Sequence, residues 1–151
     1  MPRRSQAPPD GVLFQEWLRG DPFWMLVACQ LVNLTTWRQA RPAFWRIRLG
    51  CYGLPSVLAS RSEESLHDAL RPLGLWRRRA KSLIRLAKSW CEEGPPGDAA
   101  AVLDRPGCGR YASDSWAIFV DGRTDVEPDD GKLNWYMERL HGRGSDGEAR
   151  Q

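Results

Sequence analysis

The stretch LDRPGCGRYASDSWAIF, residues 103–119, has the form of a helix, two glycines separated by one residue, and a second helix. Gly107 and Gly109 permit a tight turn that exposes backbone N–H groups at the start of the second helix. Such a turn is a ready binding site for a phosphate group. A Gly-x-Gly turn between helices is also typical of a simple helix C-cap, and on these residues alone both interpretations stay open.

The segments around this hairpin show helical periodicity and are separated by Gly and Pro. Asp21 and Pro22 predict an N-cap and a first helical residue, and they open the run FWMLVACQLVNL, which is apolar on nearly every face. Pro42 predicts either a late start or a kink in the next helix. We find no convincing alternating strand pattern. The sequence therefore predicts an all-α fold.

The length of 151 residues predicts one domain. We expect a flexible N-terminal arm at residues 1–11, a single domain at residues 12–141 and a flexible tail at residues 142–151. No run reaches the roughly 18 to 20 apolar residues that span a bilayer, and the N-terminus lacks the apolar core of a secretion signal. We therefore expect an intracellular protein, in the cytoplasm or the nucleoid, without a membrane partner.

The four cysteines are irregularly spaced, without a C-x-x-C pair or a zinc or iron–sulfur pattern: Cys29, Cys51, Cys91 and Cys108. This pattern predicts reduced thiols and no metal site. Arginines cluster in RPLGLWRRRAKSLIR, and the planar guanidinium suits phosphate oxygens and bases. The cluster indicates a polyanionic partner, although a solvated basic helix face has the same appearance.

The stretch VEPDDGKLNWY, residues 126–136, places Asp129 and Asp130 just before an apolar helical run. Asp130 lies 21 residues beyond Gly109. Taken alone, an acid at this position predicts a helix N-cap. A catalytic carboxylate is the other interpretation, and the two roles are compatible in one residue.

The hairpin, the Gly/Pro-rich loop after it and the following Asp130 resemble the helix-hairpin-helix DNA glycosylases. Five stretches look like successive motifs of the mismatch-specific thymine/uracil glycosylases that carry a methyl-CpG-binding domain: FQEWLRGDPF, LVNLTT, RPLGLWRRRAK, PGCGRYASDSW and VEPDDGKLNWY. They occur in order from about residue 12 to about residue 141. The resemblance implies two helical lobes flanking a DNA-binding cleft. It also implies excision of thymine or uracil opposite guanine in base excision repair.

The resemblance also implies roles for individual residues. Asp130 would be the catalytic acid, with Asp129 as an acidic neighbour. Tyr111 stands where lyase-competent relatives have a lysine nucleophile, which implies a monofunctional enzyme that forms no Schiff base. Gln15 matches a glutamine that contacts the flipped pyrimidine. We expect Tyr111 and Gln15 to hydrogen-bond the extruded base.

A larger set is expected to contact DNA, comprising a wedge loop, the hairpin and nearby basic side chains: Leu34, Leu73, Gly74, Leu75, Arg77, Arg78, Arg79, Gly107, Cys108, Gly109, Arg110 and Lys132. Leu34 departs from the family pattern, because the relatives carry an arginine there that fills the vacated base stack. A leucine fills the gap by apolar contact but loses charge and hydrogen bonds. The preference for guanine opposite the target is therefore open.

The predicted partner is double-stranded DNA that contains a mismatch or lesion, bound by a monomer. No cofactor and no iron–sulfur cluster are expected, and the hairpin is a candidate site for a monovalent cation. Two alternatives remain: a glycosylase for another modified or damaged pyrimidine, and a non-catalytic helix-hairpin-helix DNA-binding module.

Overall fold

The computed structural model describes the backbone of residues 5–149 and the side chains of residues 5–142. The predicted all-α fold is confirmed, since the described residues contain no strand. They form helices α1 (Phe14–Leu18), α2 (Pro22–Leu31), α3 (Trp37–Gly50), α4 (Pro55–Ala59), α5 (His67–Leu70), α6 (Trp76–Glu93), α7 (Ala99–Val102), α8 (Arg110–Phe119) and α9 (Gly131–Ala149). Two short 3-10 turns, Glu64–Leu66 and Arg71–Leu73, flank α5.

Residues 1–4 of the predicted arm and residues 150–151 of the predicted tail lie outside the described residues. The division into arm, domain and tail stays a prediction. Within the described part of the chain, no helix is both long enough and apolar enough to cross a bilayer.

Helix α2 lies at the centre of the core and packs against α1, α3, α6 and α8. Most of its side chains are buried, as its uniformly apolar sequence predicts. Asp21 occupies the N-cap position and Pro22 the first turn, but the Asp21 side chain makes no capping hydrogen bond. Its carboxylate instead forms an ion pair of 3.0 Å with Arg48 on α3. This pair ties the start of α2 to the neighbouring helix.

Helix α3 begins with a capping box at Thr36, whose hydroxyl accepts from the backbone N–H of Gln39 at 3.2 Å. The Gln39 side chain in turn accepts from the backbone N–H of Thr36 at 2.9 Å. The helix continues through Pro42. The late start that Pro42 suggested is therefore wrong, because the cap at Thr36 starts the helix before the proline.

Helix α6 is amphipathic and packs against α4 and α5. Its buried face includes Leu83, Ile84 and Leu86, while Lys81 and Arg85 are exposed. A basic surface and a core contact therefore share one helix. The start of α6 lies beside the hairpin that joins α7 to α8.

Candidate active site

A cleft of about 1620 Å³ opens where α1, the end of α2, the starts of α3, α6 and α9, and the hairpin meet. This volume exceeds the roughly 300–1,000 Å³ of a small-molecule pocket, so the cleft suits a segment of a polymer. Most of the predicted site residues line it: Gln15, Leu34, Leu75, Arg78, Arg79, Gly107, Cys108, Gly109, Arg110, Tyr111, Asp130 and Lys132.

Three of the predicted DNA-contacting residues are not among those that line the cleft: Leu73, Gly74 and Arg77. Leu73 packs against the core. The Arg77 guanidinium forms an ion pair of 3.3 Å with Glu64 and lies 4.6 Å from the centre of the Trp76 ring. A contact between Arg77 and DNA would therefore have to be made outside the cleft.

The hairpin is docked on α2 and α6 through Gly107, which has a φ of 72°. A Cβ atom at this position would overlap Ser82 Oγ and lie 2.6 Å from both amide atoms of Gln30. The Gln30 Nε2 donates to the Pro106 carbonyl at 2.7 Å, and Ser82 Oγ donates to Gln30 Oε1 at 2.9 Å. Both the left-handed backbone and the close approach require glycine at residue 107.

Gly109 differs from Gly107, since its φ is −119° and no atom lies within 4 Å of a Cβ built on it. As the N-cap of α8 it provides no side-chain acceptor for the first-turn N–H groups. The first-turn N–H groups therefore have no side-chain cap at the positive end of the helix, and uncapped groups of this kind can bind a phosphate oxygen.

The Asp130 carboxylate lies in the cleft at the start of α9. Its Oδ2 accepts hydrogen bonds from the backbone N–H groups of Lys132 and Leu133, both at 3.0 Å. The predicted N-cap role of Asp130 is thus confirmed. Among the described residues, no hydrogen-bond donor reaches its other oxygen. Two bonds on one oxygen orient the carboxylate and leave Oδ1 for a ligand.

Asp129 has a different environment from Asp130. It is exposed, and its Oδ2 lies 3.9 Å from Arg110 Nη1. Arg110 also donates to the carbonyl of Glu127 at 2.9 Å and lies 3.5 Å from Asp114 Oδ2. Arg110 therefore connects the hairpin helix α8 to the loop that precedes Asp130.

Gln15 and Tyr111 meet in the cleft although they are 96 residues apart in the sequence. Gln15 is 1% exposed, and its Nε2 donates to the Tyr111 hydroxyl at 2.8 Å and to Ser115 Oγ at 3.3 Å. Ser115 Oγ donates its own hydrogen to the Tyr111 carbonyl at 2.9 Å. Because that hydrogen is already used, Ser115 accepts from Gln15 and holds the NH₂ end of the amide on its side.

This orientation leaves Gln15 Oε1 buried without a hydrogen-bond partner among the described residues. An unsatisfied buried acceptor costs about 1–3 kcal/mol, and a hydrogen bond donated to Gln15 Oε1 would remove this cost. The Tyr111 hydroxyl accepts from Gln15 and keeps its own hydrogen to donate. The pair therefore has one unused acceptor and one unused donor at the wall of the cleft, and a ligand reaches the buried acceptor only when neighbouring side chains move.

The Tyr111 phenol and two nearby cysteine thiols favour their neutral forms. Burial, with smaller contributions from Cys29 and Asp130, raises the pKa of Tyr111 well above its ordinary value. The phenol therefore remains a donor at neutral and moderately alkaline pH. Burial also raises the pKa of Cys29 to about 12 and the pKa of Cys108 to about 11. Both cleft cysteines are thiols at neutral pH and are poor nucleophiles.

Two leucines project from the walls of the cleft in left-handed backbone conformations. Leu34, between α2 and α3, has a φ of 63° and is 82% exposed. Leu75, the N-cap residue of α6, has a φ of 53° and is 57% exposed. A left-handed conformation costs a non-glycine residue about 1–2 kcal/mol, and side chains this exposed recover little of it by packing. The fold thus places two large apolar side chains at the walls of the cleft, where a bound partner would contact them.

The sequence interpretation missed several residues that line the cleft: Cys29, Gln30, Arg38, Arg41 and Asp114. It also missed Ser115, which is buried and accepts a hydrogen bond from Gln15. Gln30 had a recognisable signal, because it is a lone amide within an otherwise apolar helix. Arg38 and Arg41 are three residues apart at the start of α3, which places both on one face. Ser115 had no signal, since its role depends on how α1 packs against α8.

The arrangement of the hairpin, the buried helix and the capping acid identifies the fold class. A glycine hairpin docked on a buried helix, followed by an acid that caps the next helix in a shared cleft, is the helix-hairpin-helix DNA glycosylase fold. A solved structure of a thermostable thymine-DNA glycosylase has this fold, with a TM-score of 0.67 and 22% sequence identity. The match covers 77% of this chain and 54% of that chain.

Sequence comparison leads to particular relatives. The chain is 32% identical over 142 residues to the methyl-CpG-binding domain protein 4-like protein of Arabidopsis thaliana. This match covers 92% of this chain and 31% of the plant protein. It is 30% identical over 126 residues to a thymine/uracil-DNA glycosylase of Pyrobaculum aerophilum, covering 82% of this chain and 54% of that protein. A thymine-DNA glycosylase of Aeropyrum pernix is 43% identical over 68 residues, which are 45% of this chain and 30% of that protein.

The chain thus spans between about a third and about half of the length of these relatives. No protein-family model matches it. The resemblance drawn from the five sequence motifs is nevertheless confirmed, because the chain is a relative of proteins named as thymine and uracil DNA glycosylases and shares their fold.

Proposed function

We propose that this chain is a monofunctional DNA glycosylase of base excision repair, which hydrolyses the N-glycosidic bond of thymine or uracil mispaired with guanine. One observation carries the proposal. The oriented carboxylate of Asp130 lines the same cleft as the Gln15–Tyr111 pair, whose acceptor and donor are unused. The named relatives support the same activity. The partner is duplex DNA with a mismatch or lesion, and the protein acts on it as a monomer inside the cell.

The target base has to leave the duplex before it can react. Swinging a base out of the stack costs a few kcal/mol, and least for a mispaired base. In our proposal Leu34 and Leu75 occupy the space that the base vacates, as apolar wedges do in other DNA-bending proteins. The phosphates beside the flipped nucleotide bind the first-turn N–H groups of α8 and the basic side chains of the cleft. A monovalent cation at the hairpin remains a further prediction of the resemblance.

The extruded pyrimidine then meets the Gln15–Tyr111 pair. Thymine and uracil carry an N3–H donor between two carbonyl oxygens. Gln15 Oε1 accepts from N3–H, and the Tyr111 hydroxyl donates to a neighbouring carbonyl. The buried acceptor gains its missing hydrogen bond only when such a base enters, and this supports recognition of a base with an imide edge.

The chemical step needs a negative charge next to the sugar. When the N-glycosidic bond breaks, its electron pair leaves with the base and C1′ becomes oxocarbenium-like. The Asp130 carboxylate stabilises this positive charge and orients or deprotonates the water that adds to C1′. The backbone N–H groups of Lys132 and Leu133 at the start of α9 donate to Oδ2 and hold the carboxylate in place. The products are the free base and an abasic site.

The monofunctional assignment rests on Tyr111. A Schiff base requires an amine, and the tyrosine side chain has none. The cleft cysteines are protonated thiols and do not replace it. Lys132 is the lysine among the residues that line the cleft, and its amine makes the assignment testable. Borohydride trapping of a protein–DNA adduct would refute the monofunctional assignment, and its loss in Lys132→Ala would identify Lys132 as the nucleophile.

The proposal is tested with duplexes that carry T:G, U:G or U:A, and with single-stranded DNA that contains uracil. We expect abasic sites from T:G and U:G that break only after alkali, and no borohydride-trapped adduct. The U:A duplex shows whether guanine opposite is required when Leu34 replaces an arginine. Binding without abasic sites on any substrate would favour a non-catalytic hairpin module, and strand breaks before alkali would refute the monofunctional assignment. Duplexes that carry other modified pyrimidines complete the set, and excision of these alone would make the alternative lesion range correct.

A Gln15→Leu substitution tests base recognition, since leucine fills a similar volume without a hydrogen-bond acceptor. We expect kcat/KM for a U:G duplex to fall by about 10- to 100-fold, in line with about 1–3 kcal/mol for a lost buried hydrogen bond. Single-turnover excision kinetics measure it. Binding to a duplex that carries an abasic site is the control, because that DNA has no base to read. An unchanged excision rate, or an equal loss of abasic-site binding, would contradict the role of Gln15.

A further inference from the structure

Arg79, in the first turn of α6, has its guanidinium directed at backbone carbonyls. Its Nε donates to the Gly74 carbonyl at 2.9 Å, and its Nη2 donates to the Asn33 carbonyl at 2.9 Å. Longer bonds of 3.4–3.5 Å reach the carbonyls of Gln30, Leu31 and Leu73. All five N–H donors of the arginine therefore have acceptors within the protein.

The two shortest bonds involve the residues that directly precede the two projecting leucines. Asn33 precedes Leu34, and Gly74 precedes Leu75. Both leucines have left-handed backbones and exposed side chains, so their conformations are not stabilised by burial of the leucines themselves. A single guanidinium thus connects two segments that are about 40 residues apart in the chain. It holds the backbone next to each strained residue.

From these contacts we propose that Arg79 is a positioning residue, which holds Leu34 and Leu75 together as one preformed wedge for opening the duplex. This inference rests on the proposed glycosylase function. It replaces the phosphate contact that the sequence suggested for Arg79, because its donors are already used by carbonyl groups. Burial lowers the pKa of Arg79 from its ordinary value, as expected for a guanidinium that faces the protein.

Lysine is the informative replacement at this position. It keeps the positive charge, but its single ammonium group lacks the planar fork that spans the Asn33 and Gly74 carbonyls. An Arg79→Lys protein should therefore retain its electrostatic attraction to DNA and lose the fixed relation between the two leucines. Arg85→Lys is the matched control, since Arg85 lies on the exposed face of the same helix and is not among the residues that line the cleft.

The experiment compares two DNA substrates under single-turnover conditions. One is a U:G duplex, and the other places the same uracil in an unpaired bubble of about three nucleotides, where little stacking has to be broken. We expect Arg79→Lys to lower the excision rate on the duplex by about 10- to 100-fold and on the bubble by less than about threefold. Arg85→Lys should match wild type on both. The salt dependence of binding should be unchanged in Arg79→Lys, because no phosphate contact is lost.

A second measurement does not depend on excision. A 2-aminopurine next to the mismatch gains fluorescence when its stacking is disrupted, and we expect a smaller gain on binding Arg79→Lys than on binding wild type. Arg78→Met is the contrasting variant, because Arg78 lines the cleft and has no hydrogen-bond or ion-pair partner among the described residues. It should weaken binding to both substrates and lower the salt slope by about 1.

The inference is overturned if Arg79→Lys lowers the excision rate on the duplex and on the bubble by the same factor, or if it excises the duplex at the wild-type rate. A fall in the salt slope of binding like that of Arg78→Met would also overturn it. A protein that excises no base in its wild-type form would refute the proposed function instead. In that case the 2-aminopurine signal on a bound mismatch still decides whether Arg79 holds the wedge.

Discussion

Asp130→Asn is expected to lower the rate of base excision by at least about 10²-fold while leaving the fold intact, the range for loss of a group that acts in the transition state. Asparagine retains an oxygen that accepts from the backbone N–H groups of Lys132 and Leu133, so the cap of α9 is preserved. What is lost is the negative charge that stabilises C1′. The measurement is single-turnover excision from a U:G duplex, with DNA affinity measured by fluorescence anisotropy.

Asp129→Asn is the matched control for this prediction. Asp129 is exposed and lies 3.9 Å from Arg110, and a surface ion pair of this kind contributes about 0–1 kcal/mol. We therefore expect its excision rate to stay within about threefold of wild type. Asp130→Ala removes both charge and cap, so it should also lose about 1 kcal/mol of stability in urea unfolding. Wild-type excision by Asp130→Asn would exclude this carboxylate from the chemistry.

Gly107→Ala is expected to be the most destabilising of the substitutions considered. The methyl group would overlap Ser82 Oγ and approach both amide atoms of Gln30, at a φ of 72° that alanine disfavours. Left-handed strain and overpacking each cost about 1–3 kcal/mol, so we expect a loss of about 3 kcal/mol or more. For a domain of this size, this corresponds to a fall in Tm of roughly 6–12 °C. Urea and thermal unfolding measure both quantities.

Gly109→Ala separates the packing role of the hairpin from its binding role. No atom lies within 4 Å of a Cβ at this position, and the backbone conformation is ordinary for alanine. Its stability should stay within about 1 kcal/mol of wild type. The added methyl group stands before the first-turn N–H groups of α8, so DNA affinity should fall. If Gly107→Ala were as stable as wild type, the docking of the hairpin on α2 and α6 would be refuted. If Gly109→Ala bound DNA as tightly as wild type, the phosphate site would be refuted.

Features that depend on neighbouring residues could be predicted from the sequence. The run that opens at Pro22 is apolar on nearly every face and forms the buried helix α2, the basic cluster of α6 was visible in the sequence, and Asp130 was recognised as a helix cap. These features are local, because helix geometry relates residues three or four positions apart and a cap involves only the first turn. The order of motifs along the chain was also sufficient to recognise the family resemblance.

The same local rules were less reliable where a side chain had a choice of partners. Asp21 was expected to cap α2, but its carboxylate pairs with Arg48 from another helix. Arg79 and Arg77 belong to one basic cluster in the sequence, yet Arg79 donates to backbone carbonyls and Arg77 pairs with Glu64. The N–H donors of an arginine can bind phosphate, carboxylate or carbonyl oxygens. Its partner is set by what the fold places within reach.

The sequence by itself determined the helices, the glycine hairpin and the acid at the start of α9, since each follows from backbone geometry over a few residues. The tertiary structure alone decided that Gln15 meets Tyr111 and Ser115, that its carbonyl is left without a partner, and that Arg79 connects the segments of Leu34 and Leu75. These contacts join residues far apart in the chain. Their hydrogen bonds depend on positions that only the packing of whole helices establishes.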